Sequence, residues 1–509
     1  MRKARRISQL FFLLLFFVMF FTLRYPYHPP FSSQLFLQTS PLLVLSTWVA
    51  LDRFETFMVI GLIFLLPALI LGRFFCGWIC PLGTLIDATD KTLKSKNRKS
   101  FGISRNIKYF ILGIILVSML FALQWVWFFD PIALLTRTVV TGFYPVFVHL
   151  TFALFDGLFS LNILDDAVYA AFNWGQQTIL PIDQPTFLYS VPVLLIFSLI
   201  LAASLLSRRF WCRYLCPLGA LYSLFSRHRI LKRRVSDACT SCGICVQQCR
   251  MDAISEDFTA TRTAECIECG ECVEVCPTNA ISYGFSGAAK QIPIDASKRR
   301  TLVAAGFGVF LVAITKTGRT AESEPPIRPP GAISEDKFLD TCIRCQQCLQ
   351  ICSSTGAGLQ PALWEAGLEG LWSPILIPRM GYCEFNCNLC GQVCPSGAIQ
   401  KLNLADKQAL KIGRAYINKN TCIPWNDNIN CLVCEEHCPL EEKAIKFEFV
   451  EIKTEQGEKK IVKRPYVDDS LCIGCGICET KCPVSGKPGI FVTSQNNQRI
   501  EVLANHGTV

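Results

Sequence analysis

The segment that decides the fold reads CTSCGICVQQC at residues 239–249 and CIECGECVEVCP at residues 266–277. In both runs the four cysteines are separated by two, two and three residues. Cysteines this close together suit metal ligation, because the cysteines of a disulfide framework usually bridge distant segments. Gly243 and Gly270 allow the chain to turn tightly between the cysteines. The segment therefore predicts a small domain built around metal sites.

The composition divides the 509-residue chain into an apolar first part and a more polar second part. Cysteine accounts for 28 residues, and nearly all of them lie two or three residues from another cysteine. The formal net charge is +10, but much of the excess flanks apolar segments, as the positive-inside rule expects. No basic pattern interleaved with aromatic residues is present, which argues against a nucleic-acid partner.

Four more cysteine quartets follow in the C-terminal part of the chain. They are Cys342/Cys345/Cys348/Cys352, Cys383/Cys387/Cys390/Cys394, Cys422/Cys431/Cys434/Cys438 and Cys472/Cys475/Cys478/Cys482. Paired cysteines also make tetrahedral zinc sites, which is the alternative interpretation. Zinc ribbons do not normally repeat four clustered cysteines six times, so the pattern favours iron–sulfur clusters.

Four apolar segments approach the length of about 20 residues that a membrane helix needs. They are residues 7–23, 56–75, 107–129 and 187–206. Basic residues are concentrated before the first, between the second and third, and after the fourth. Residues 130–187 instead contain five aspartates and one arginine. Since basic loops stay in the cytoplasm, this asymmetry predicts a cytoplasmic N-terminus and an outer loop at 130–187.

Residues 139–155 are also apolar, but Gly142, Pro145 and the following Asp156-Gly157 weaken them as a membrane span. We therefore expect this segment to lie along the outer face of the membrane or to dip into it.

An internal repeat ends the second and fourth apolar segments. It reads RFFCGWICPLGTL at residues 73–85 and RFWCRYLCPLGAL at residues 209–221. The cysteines of each CxxxCP motif (Cys76 and Cys80, Cys212 and Cys216) would lie one helical turn apart. The proline suits the first turn of a new helix. Four thiolates converging on one cluster or metal is the favoured interpretation; redox-active thiols and plain helix packing are the alternatives.

A double arginine precedes a weakly apolar run at residues 302–315, within the segment 297–318. This resembles a twin-arginine export signal, which would carry the folded C-terminal domain to the periplasm. The run covers about 21 Å, which is short for a membrane span. An interfacial helix that leaves every cluster in the cytoplasm is the alternative. The proline-rich residues 319–334 are predicted to be a stiff linker.

The runs at 239–249 and 266–277 resemble bacterial two-cluster ferredoxins, in which the fourth cysteine of each run binds the other cluster. The resemblance implies one cluster held by Cys239, Cys242, Cys245 and Cys276, and another held by Cys266, Cys269, Cys272 and Cys249. Arg250 stands where a proline usually follows, and its charge would alter the local potential.

The four later quartets resemble the ferredoxin-type subunits of respiratory oxidoreductases, where the first and fourth quartets, and the second and third, exchange their last cysteine. The resemblance implies four sets: Cys342/Cys345/Cys348 with Cys482, Cys472/Cys475/Cys478 with Cys352, Cys383/Cys387/Cys390 with Cys438, and Cys422/Cys431/Cys434 with Cys394. Six [4Fe–4S] clusters are therefore expected, with an additional cluster or metal at the CxxxCP pairs.

Residues 1–290 resemble NapH-type membrane ferredoxins, whose paired CxxxCP motifs NosR shares, and residues 297–509 resemble the exported ferredoxins NapG and MauM. The resemblance implies a quinol dehydrogenase module that takes electrons from the membrane quinone pool and feeds a periplasmic c-type cytochrome or reductase. An electron-donating maturation or repair factor for a metalloenzyme is one alternative. Ferredoxin-linked transfer toward quinone is another.

We therefore expect an α-helical membrane domain of about four spans, with a candidate fifth at 302–315, and α+β ferredoxin-like iron–sulfur domains. The predicted divisions are 1–235 for the membrane domain, 236–290 for the two-cluster domain, 297–318 for the signal or anchor, 319–334 for the linker and 335–509 for the four-cluster domain. No haem-attachment or dinucleotide-binding motif is present.

Residues of a quinone site are the hardest to predict. The candidates combine aromatic surface with groups that handle protons, and they are Trp125, Trp127, Asp130, Arg137 and His149. The alternative is that the tryptophans are interfacial anchors and that Asp130-Pro131 starts a loop.

Overall fold

The computed structural model describes residues 1–25, 34–52, 57–93, 104–161, 165–182, 184–227, 229–285, 298–317, 324–453 and 459–500. It divides into two compact units. The first unit comprises Met1–Phe21, Pro29–Gly142 and Ser190–Lys316, and the second comprises Thr22–His28, Phe143–Tyr189 and Thr317–Val509. Parts of several predicted segments lie outside the described residues, among them 94–103 of the basic link, 286–290 of the two-cluster domain, 297 and 318 of the signal, 319–323 of the linker, and 454–458 and 501–509 of the four-cluster domain.

The N-terminal part of the chain is helical. Its α-helices are α1 Arg2–Phe21, α2 Leu35–Gln38, α3 Pro41–Leu51, α4 Met58–Leu65, α5 Ala68–Leu71, α6 Phe74–Trp78, α7 Pro81–Thr92, α8 Ile107–Leu120, α9 Val126–Phe129, α10 Pro131–Thr138, α11 Tyr144–Ser160, α12 Asp165–Thr178, α13 Ser190–Ala202 and α14 Pro217–Ser226. Two π-helical turns, Val139–Phe143 and Trp211–Leu215, and a 3-10 turn, Ala203–Leu205, interrupt them.

The remaining chain alternates short helices with short strands. Its elements are β1 Lys232–Val235, α15 Ile244–Gln248, a 3-10 turn Thr263–Glu265, α16 Glu271–Glu274, β2 Ile281–Gly284, α17 Lys298–Thr317, α18 Glu335–Thr341, α19 Gln347–Cys352, β3 Leu359–Pro361, β4 Pro374–Leu376, α20 Leu389–Gln392, α21 Leu404–Ala409, β5 Arg414–Ile417, α22 Ile423–Asn426, α23 Val433–Glu436, β6 Ile445–Lys453, β7 Lys459–Val467, α24 Ile477–Thr480 and β8 Ile490–Thr493.

Two helical stretches of the described chain are long and apolar enough to cross a bilayer, Arg2–Phe21 and Pro131–Ser160. Five shorter apolar helical stretches are Pro41–Leu51, Met58–Leu71, Ile107–Leu120, Ser190–Leu205 and Leu302–Thr315. The expected four spans are therefore not confirmed as such. The predicted span 107–129 ends as a helix at Leu120, and the predicted span 56–75 is divided among α4, α5 and α6.

Residues 139–155 belong to the continuous 30-residue helical stretch Pro131–Ser160, and that they lie along the outer face of the membrane or dip into it stays a prediction. The π-helical turn Val139–Phe143 explains how the helix continues past Pro145. A proline ring normally clashes with the carbonyl four residues earlier, and a widened turn at that carbonyl leaves room for the ring.

In the first unit, the strands β1 and β2 pair antiparallel, from Lys232 opposite Gly284 to Val235 opposite Ile281. The two cysteine runs lie between these strands. Gly243 and Gly270 adopt positive φ angles of 76° and 73° directly before α15 and α16, a conformation that glycine tolerates best. The pairing thus closes a small α+β domain around both runs.

The second unit contains three further antiparallel pairs: β3 with β4, β5 with β8, and β6 with β7. Its interior includes a cluster of Leu23, Ile351, Leu389 and Val393. Arg328, from the predicted linker, is buried and donates to Glu335, to the Ser373 hydroxyl and to the Pro374 carbonyl. The end of the predicted linker therefore packs as part of the C-terminal domain.

Helix α17 packs against α8 through glycine. A Cβ atom on Gly308 would lie 3.0 Å from the Cβ of Val117 and 3.3 Å from the Ile114 carbonyl oxygen. Small residues let helix backbones approach closely, which is how apolar helices associate where there is little water to exclude. The apolar run at 302–315 is therefore a packed helix of the first unit.

We expect Gly308→Leu to lower the unfolding temperature of the detergent-solubilised protein, because the new side chain must push α17 away from α8. Gly306→Leu is the matched control, since a Cβ there meets nothing within 4 Å. Overpacking of this kind costs about 1–3 kcal/mol. Equal unfolding temperatures for the two variants would contradict the helix packing.

Candidate metal centres

The two cysteine runs of the first unit form two groups. One cavity is lined by Cys239, Cys242, Cys245 and Cys276, which we call set I. The second group, set II, is Cys266, Cys269, Cys272 and Cys249. Burial raises the pKa of Cys249 to about 11, and the charge of Cys266 contributes to the rise. The structure thus makes both groupings that the ferredoxin resemblance implied.

The second unit forms four groups of cysteines. Three of them line cavities: set IV is Cys383, Cys387, Cys390 and Cys352; set V is Cys472, Cys475, Cys478 and Cys438; and set VI is Cys422, Cys431, Cys434 and Cys482. Set III is Cys342, Cys345, Cys348 and Cys394. Burial raises the pKa values of Cys342, Cys345 and Cys348, and the charge of Cys394 raises all three further.

These groups correct the expected pairing in the C-terminal domain. The first quartet exchanges its last cysteine with the second, and the third exchanges with the fourth, rather than first with fourth and second with third. The physical reason is local packing, because α19 lies against α20 and α23 lies against α24. Quartets that are neighbours in sequence close shorter loops when they meet, which costs less chain entropy.

The four sets of the second unit form a linear series. Cys348 of set III and Cys352 of set IV lie on one turn of α19, so these two sets are neighbours. The backbone N–H of Cys383, in set IV, donates to the carbonyl of Cys475, in set V, at 2.8 Å. Burial raises the pKa of Cys478, and the charge of Cys434 in set VI is among the further causes. The order is therefore III, IV, V and VI.

Set IV, the second member of this series, lies beside segments from other parts of the chain that belong to the same unit. Cys387 of set IV packs against the cluster that contains Leu23 and Ile351. The N–H of Tyr25 donates to the Ser354 hydroxyl at 2.9 Å. Gln360 donates to the Thr186 carbonyl and accepts from the Leu188 N–H, both at 3.0 Å. Set IV therefore lies near the residues that follow α1.

The cysteines of the CxxxCP repeat form a further group in the first unit, the paired-motif set: Cys76, Cys80, Cys212 and Cys216. All four are buried. Burial raises the pKa of Cys80, and the charges of Cys76 and Cys212 raise it further. Burial likewise raises the pKa of Cys212 to about 11, with Cys76 again among the causes. Each motif thus brings its thiols within electrostatic reach of the other motif.

The second cysteine of each motif caps a helix. Cys80 precedes α7 and Cys216 precedes α14, and in both helices the next residue is the proline of the motif. The Cys216 sulfur accepts a hydrogen bond from the Gly219 N–H at 3.3 Å. The N-terminus of a helix favours negative charge, so both helices favour a thiolate at this position.

Two buried arginines cross between the motifs. Arg73 comes three residues before Cys76 and donates to the Cys212 carbonyl at 3.1 Å. Arg209 comes three residues before Cys212 and donates to the Cys76 carbonyl at 3.1 Å. Neither arginine was predicted as a functional residue from sequence, although their identical offset within the repeat was a signal that could have revealed them. The motifs therefore form a pseudo-twofold pair with a cation on each side.

The counter-charges of these arginines break the symmetry. Asp87 of α7 receives two hydrogen bonds from Arg209, both at 2.7 Å. The equivalent position in the second motif is Ser223, which carries no charge. Arg73 instead donates to Glu265 of the two-cluster domain at 2.7 Å. That domain therefore supplies the carboxylate that the second motif lacks.

Asp87 also binds cations from two further elements. Arg5 of α1 donates to it at 3.1 Å, and Arg250 of the two-cluster domain donates to it at 3.1 Å. Burial by itself would raise the pKa of Asp87, but Arg209, Arg250 and Arg5 hold this pKa well below its ordinary value. Arg250, expected to alter a cluster potential, thus has an ion-pairing role in the structure.

Set II lies directly against the first CxxxCP motif. The Trp78 indole N–H donates to the Glu268 carbonyl at 3.3 Å. A Cβ atom on Gly77 would lie 2.6 Å from the Ile267 carbonyl oxygen, so only glycine fits there. Because Ile267 and Glu268 lie between Cys266 and Cys269, the paired-motif set and set II are neighbours.

The predicted quinone-site residues are only partly brought together. The indoles of Trp125 and Trp127 stack with centroids 6.3 Å apart, and the Arg137 guanidinium lies 5.1 Å from the Trp127 ring centre. Asp130 is fully buried, where it accepts from the Ser40 hydroxyl at 2.6 Å and caps α10. His149 belongs to the second unit, whereas the other four belong to the first.

The donor chemistry of the seven sets fits iron–sulfur clusters. Each consists of four cysteine sulfurs, and the cavities of the sets that line one are otherwise largely apolar. In the described part of the chain, no three His, Cys, Asp or Glu side chains are grouped to hold a metal ion. The cysteines of a cubane bind different irons, so they need not approach one another as the ligands of a single ion do.

Three family models match parts of the chain. A 4Fe-4S binding domain matches residues 55–100, 189–236 and 390–404, and therefore includes both CxxxCP motifs. A second 4Fe-4S binding domain matches residues 262–282. A 4Fe-4S dicluster domain matches residues 428–485, which contain most of sets V and VI. The chain therefore carries several iron–sulfur sites.

Curated relatives match over slightly more than a third of the chain. The methylamine utilization ferredoxin-type protein MauM of Methylobacillus flagellatus is 32% identical over 37% of this chain and 76% of its own length. The ferredoxin-type protein NapG of Escherichia coli is 34% identical over 37% of this chain and 78% of its own length. No solved structure matches the chain significantly.

The observed cysteine grouping predicts which substitutions remove the same cluster. We expect Cys438→Ser and Cys478→Ser each to remove about four irons, and the double variant to remove no more, because both belong to set V. Cys438→Ser with Cys390→Ser should remove about eight. The pairing expected from sequence puts Cys438 and Cys390 in one set. It therefore predicts a loss of about eight irons for the Cys438/Cys478 double variant and about four for the Cys438/Cys390 double variant. Iron content and EPR measure the difference.

We expect Asp87→Asn to destabilise the first unit by about 3–5 kcal/mol, because Arg209, Arg5 and Arg250 would lose a buried counter-charge. Glu274→Gln is the control, since Glu274 is an exposed partner of Arg2 and such pairs contribute about 0–1 kcal/mol. The folded-state pKa of Asp87 is depressed, so its stabilisation is present above its ordinary pKa and is lost as pH falls through the folded value. Comparable urea midpoints for both variants would refute the role of Asp87.

Proposed function

Because the chain belongs to the family of ferredoxin-type proteins that includes MauM and NapG, we propose that it oxidises membrane quinol and delivers the electrons to a periplasmic cytochrome or reductase. The observation that carries the proposal is the linear order of sets III to VI, with set IV beside Leu23. A linear series of neighbouring sets suits conduction of electrons along the domain.

The exposed apolar surface supports a membrane location. Helix α1 presents Ile7, Leu10 and Leu14 outward, each more than half exposed. Leu195 and Leu199 of α13 and Leu302 of α17 are exposed to a similar degree. Soluble proteins rarely expose such contiguous apolar faces, whereas a lipid bilayer covers them.

The contacts of the C-terminal domain support a periplasmic location for it. Gln360, which is buried, bonds to Thr186 and Leu188 at the end of the loop that the charge asymmetry assigns to the outer side. Residues 130–187 carry five aspartates and one arginine. The domain is therefore proposed to lie outside, with α17 retained as a membrane anchor rather than removed as a signal.

The chain's own residues would hold seven clusters. Six [4Fe–4S] clusters would be bound by sets I to VI, and a seventh iron–sulfur cluster by the paired-motif set. Oxidation of one quinol yields one quinone, two protons and two electrons, and each [4Fe–4S] cluster accepts one electron when bound. Arg73 and Arg209 would offset the negative charge of four thiolates in the buried paired-motif set.

The experiment is anaerobic reduction of the purified protein by a quinol analogue, followed by EPR and compared with dithionite. We expect quinol to reduce the clusters of the wild type. With Cys390→Ser, which disrupts set IV, the signals of sets V and VI should stay oxidised under quinol but be reduced by dithionite. With Cys434→Ser, the control at the far end, sets III to V should still be reduced. A wild type that only dithionite reduces would contradict quinol oxidation.

A further inference from the structure

Trp211 carries a buried polar group that the fold leaves without a partner. The residue is 5% exposed, and its indole Nε1–H makes no hydrogen bond within the described residues. A buried donor without an acceptor is destabilising, and natural proteins keep such groups only for a reason. The indole N–H of Trp211 therefore points to a ligand that the polypeptide itself does not provide.

The internal repeat provides a built-in comparison for this position. Trp211 precedes Cys212 as Phe75 precedes Cys76. Phe75 stacks on Tyr222 with ring centroids 5.4 Å apart, and Trp211 stacks on Phe129 with centroids 6.4 Å apart. Both positions thus require an aromatic ring for packing. Only the second motif adds an N–H, so packing does not account for the indole.

The backbone is alike in the two motifs at this place. The Cys80 N–H donates to the Phe75 carbonyl and the Cys216 N–H donates to the Trp211 carbonyl, both at 3.0 Å and both with the five-residue spacing of a π-type turn. The two motifs therefore differ here in the side chain and not in the hydrogen bond that ends the turn.

The ring on which Trp211 stacks, that of Phe129, is followed in the chain by a polar group. Phe129 is followed by Asp130, whose carboxylate accepts from the Ser40 hydroxyl and caps α10. Trp127 lies two residues before Phe129 and stacks with Trp125. Helices α9 and α10 contribute these groups on the side of the second motif. Flat aromatic surface, a free N–H and a nearby carboxylate are the features that would recognise a quinone headgroup.

We infer that Trp211 and Phe129 form a quinone headgroup site beside the paired-motif set, with the indole Nε1–H of Trp211 donating to a quinone oxygen. The inference rests on the proposed quinol oxidation and names its site. A bond from this N–H to a sulfur of a bound cluster is the competing interpretation. The asymmetry of the repeat favours the quinone. A cluster shared by both motifs would present its sulfurs to Phe75 and to Trp211 alike, and Phe75 has no N–H that could donate to them.

The test is Trp211→Phe, which gives the second motif the residue type of the first and removes only the N–H donor and one ring. We expect the KM for the quinol analogue decylubiquinol to rise about tenfold, the effect of losing one hydrogen bond. Iron content and reduction by dithionite should not change. Trp372→Phe, at a buried tryptophan of the second unit, is the control and should leave this KM unchanged.

Three outcomes separate the hypotheses. A normal KM in an iron-replete Trp211→Phe protein overturns the site while leaving quinol oxidation intact. A shifted cluster potential with a normal KM assigns the N–H to a cluster sulfur and likewise overturns it. If quinol fails to reduce even the wild type, the proposed function fails. Photolabelling of the wild type with an azidoquinone then decides the site separately: labelling between Phe129 and Trp211 supports it, and its absence refutes it.

Discussion

The first unit depends on one buried carboxylate, that of Asp87. It binds Arg209 through two hydrogen bonds and also pairs with Arg5 and Arg250. These cations belong to the second CxxxCP motif, to the first helix and to the two-cluster domain. Buried charges are stable only when they are paired and hydrogen-bonded, so the position of Asp87 fixes where all three elements must lie. Arg73 and Glu265 make the corresponding pair on the other side of the repeat.

The repeat shows how a symmetric sequence is used asymmetrically. Each motif supplies one arginine, two cysteines and a helix that starts at the second cysteine. The glycine three residues later makes room for the other motif's arginine: a Cβ on Gly219 would lie 2.5 Å from the Arg73 Nη2 atom. Where the motifs differ, the differences face different neighbours. The second motif has Ser223 at the position of Asp87, and there Glu265 of the two-cluster domain supplies the carboxylate. It has Trp211 at the position of Phe75, and there Phe129 of α9 packs against the ring. A symmetric site can thus face a protein domain on one side and a ligand on the other.

The same arrangement of cysteines occurs twice in the C-terminal domain. In sets III and IV, and again in sets V and VI, the last two cysteines of a quartet lie four residues apart and belong to different sets. Cys348 and Cys352 both lie on α19, whereas Cys438 and Cys482 follow the ends of α23 and α24. This short spacing keeps the two sites of each pair close together. The backbone bond between Cys383 and Cys475 then joins the two pairs into one series. Regular ligand spacing therefore determines both the sites and their order.

The sequence by itself determined the cysteine quartets that are the candidate ligands, because cysteine spacing within a quartet is a local property that a short loop must satisfy. It also determined the repeat and the apolar segments, although Gly142 and Pro145 did not indicate that the helix continues over Pro131–Ser160. Only the tertiary structure decided which quartets exchange their fourth cysteine, which carboxylates pair with Arg73 and Arg209, and that the Trp211 N–H has no acceptor among the described residues. Each of these depends on residues far apart in the chain. Which distant groups meet is set by helix packing and buried charge rather than by local spacing.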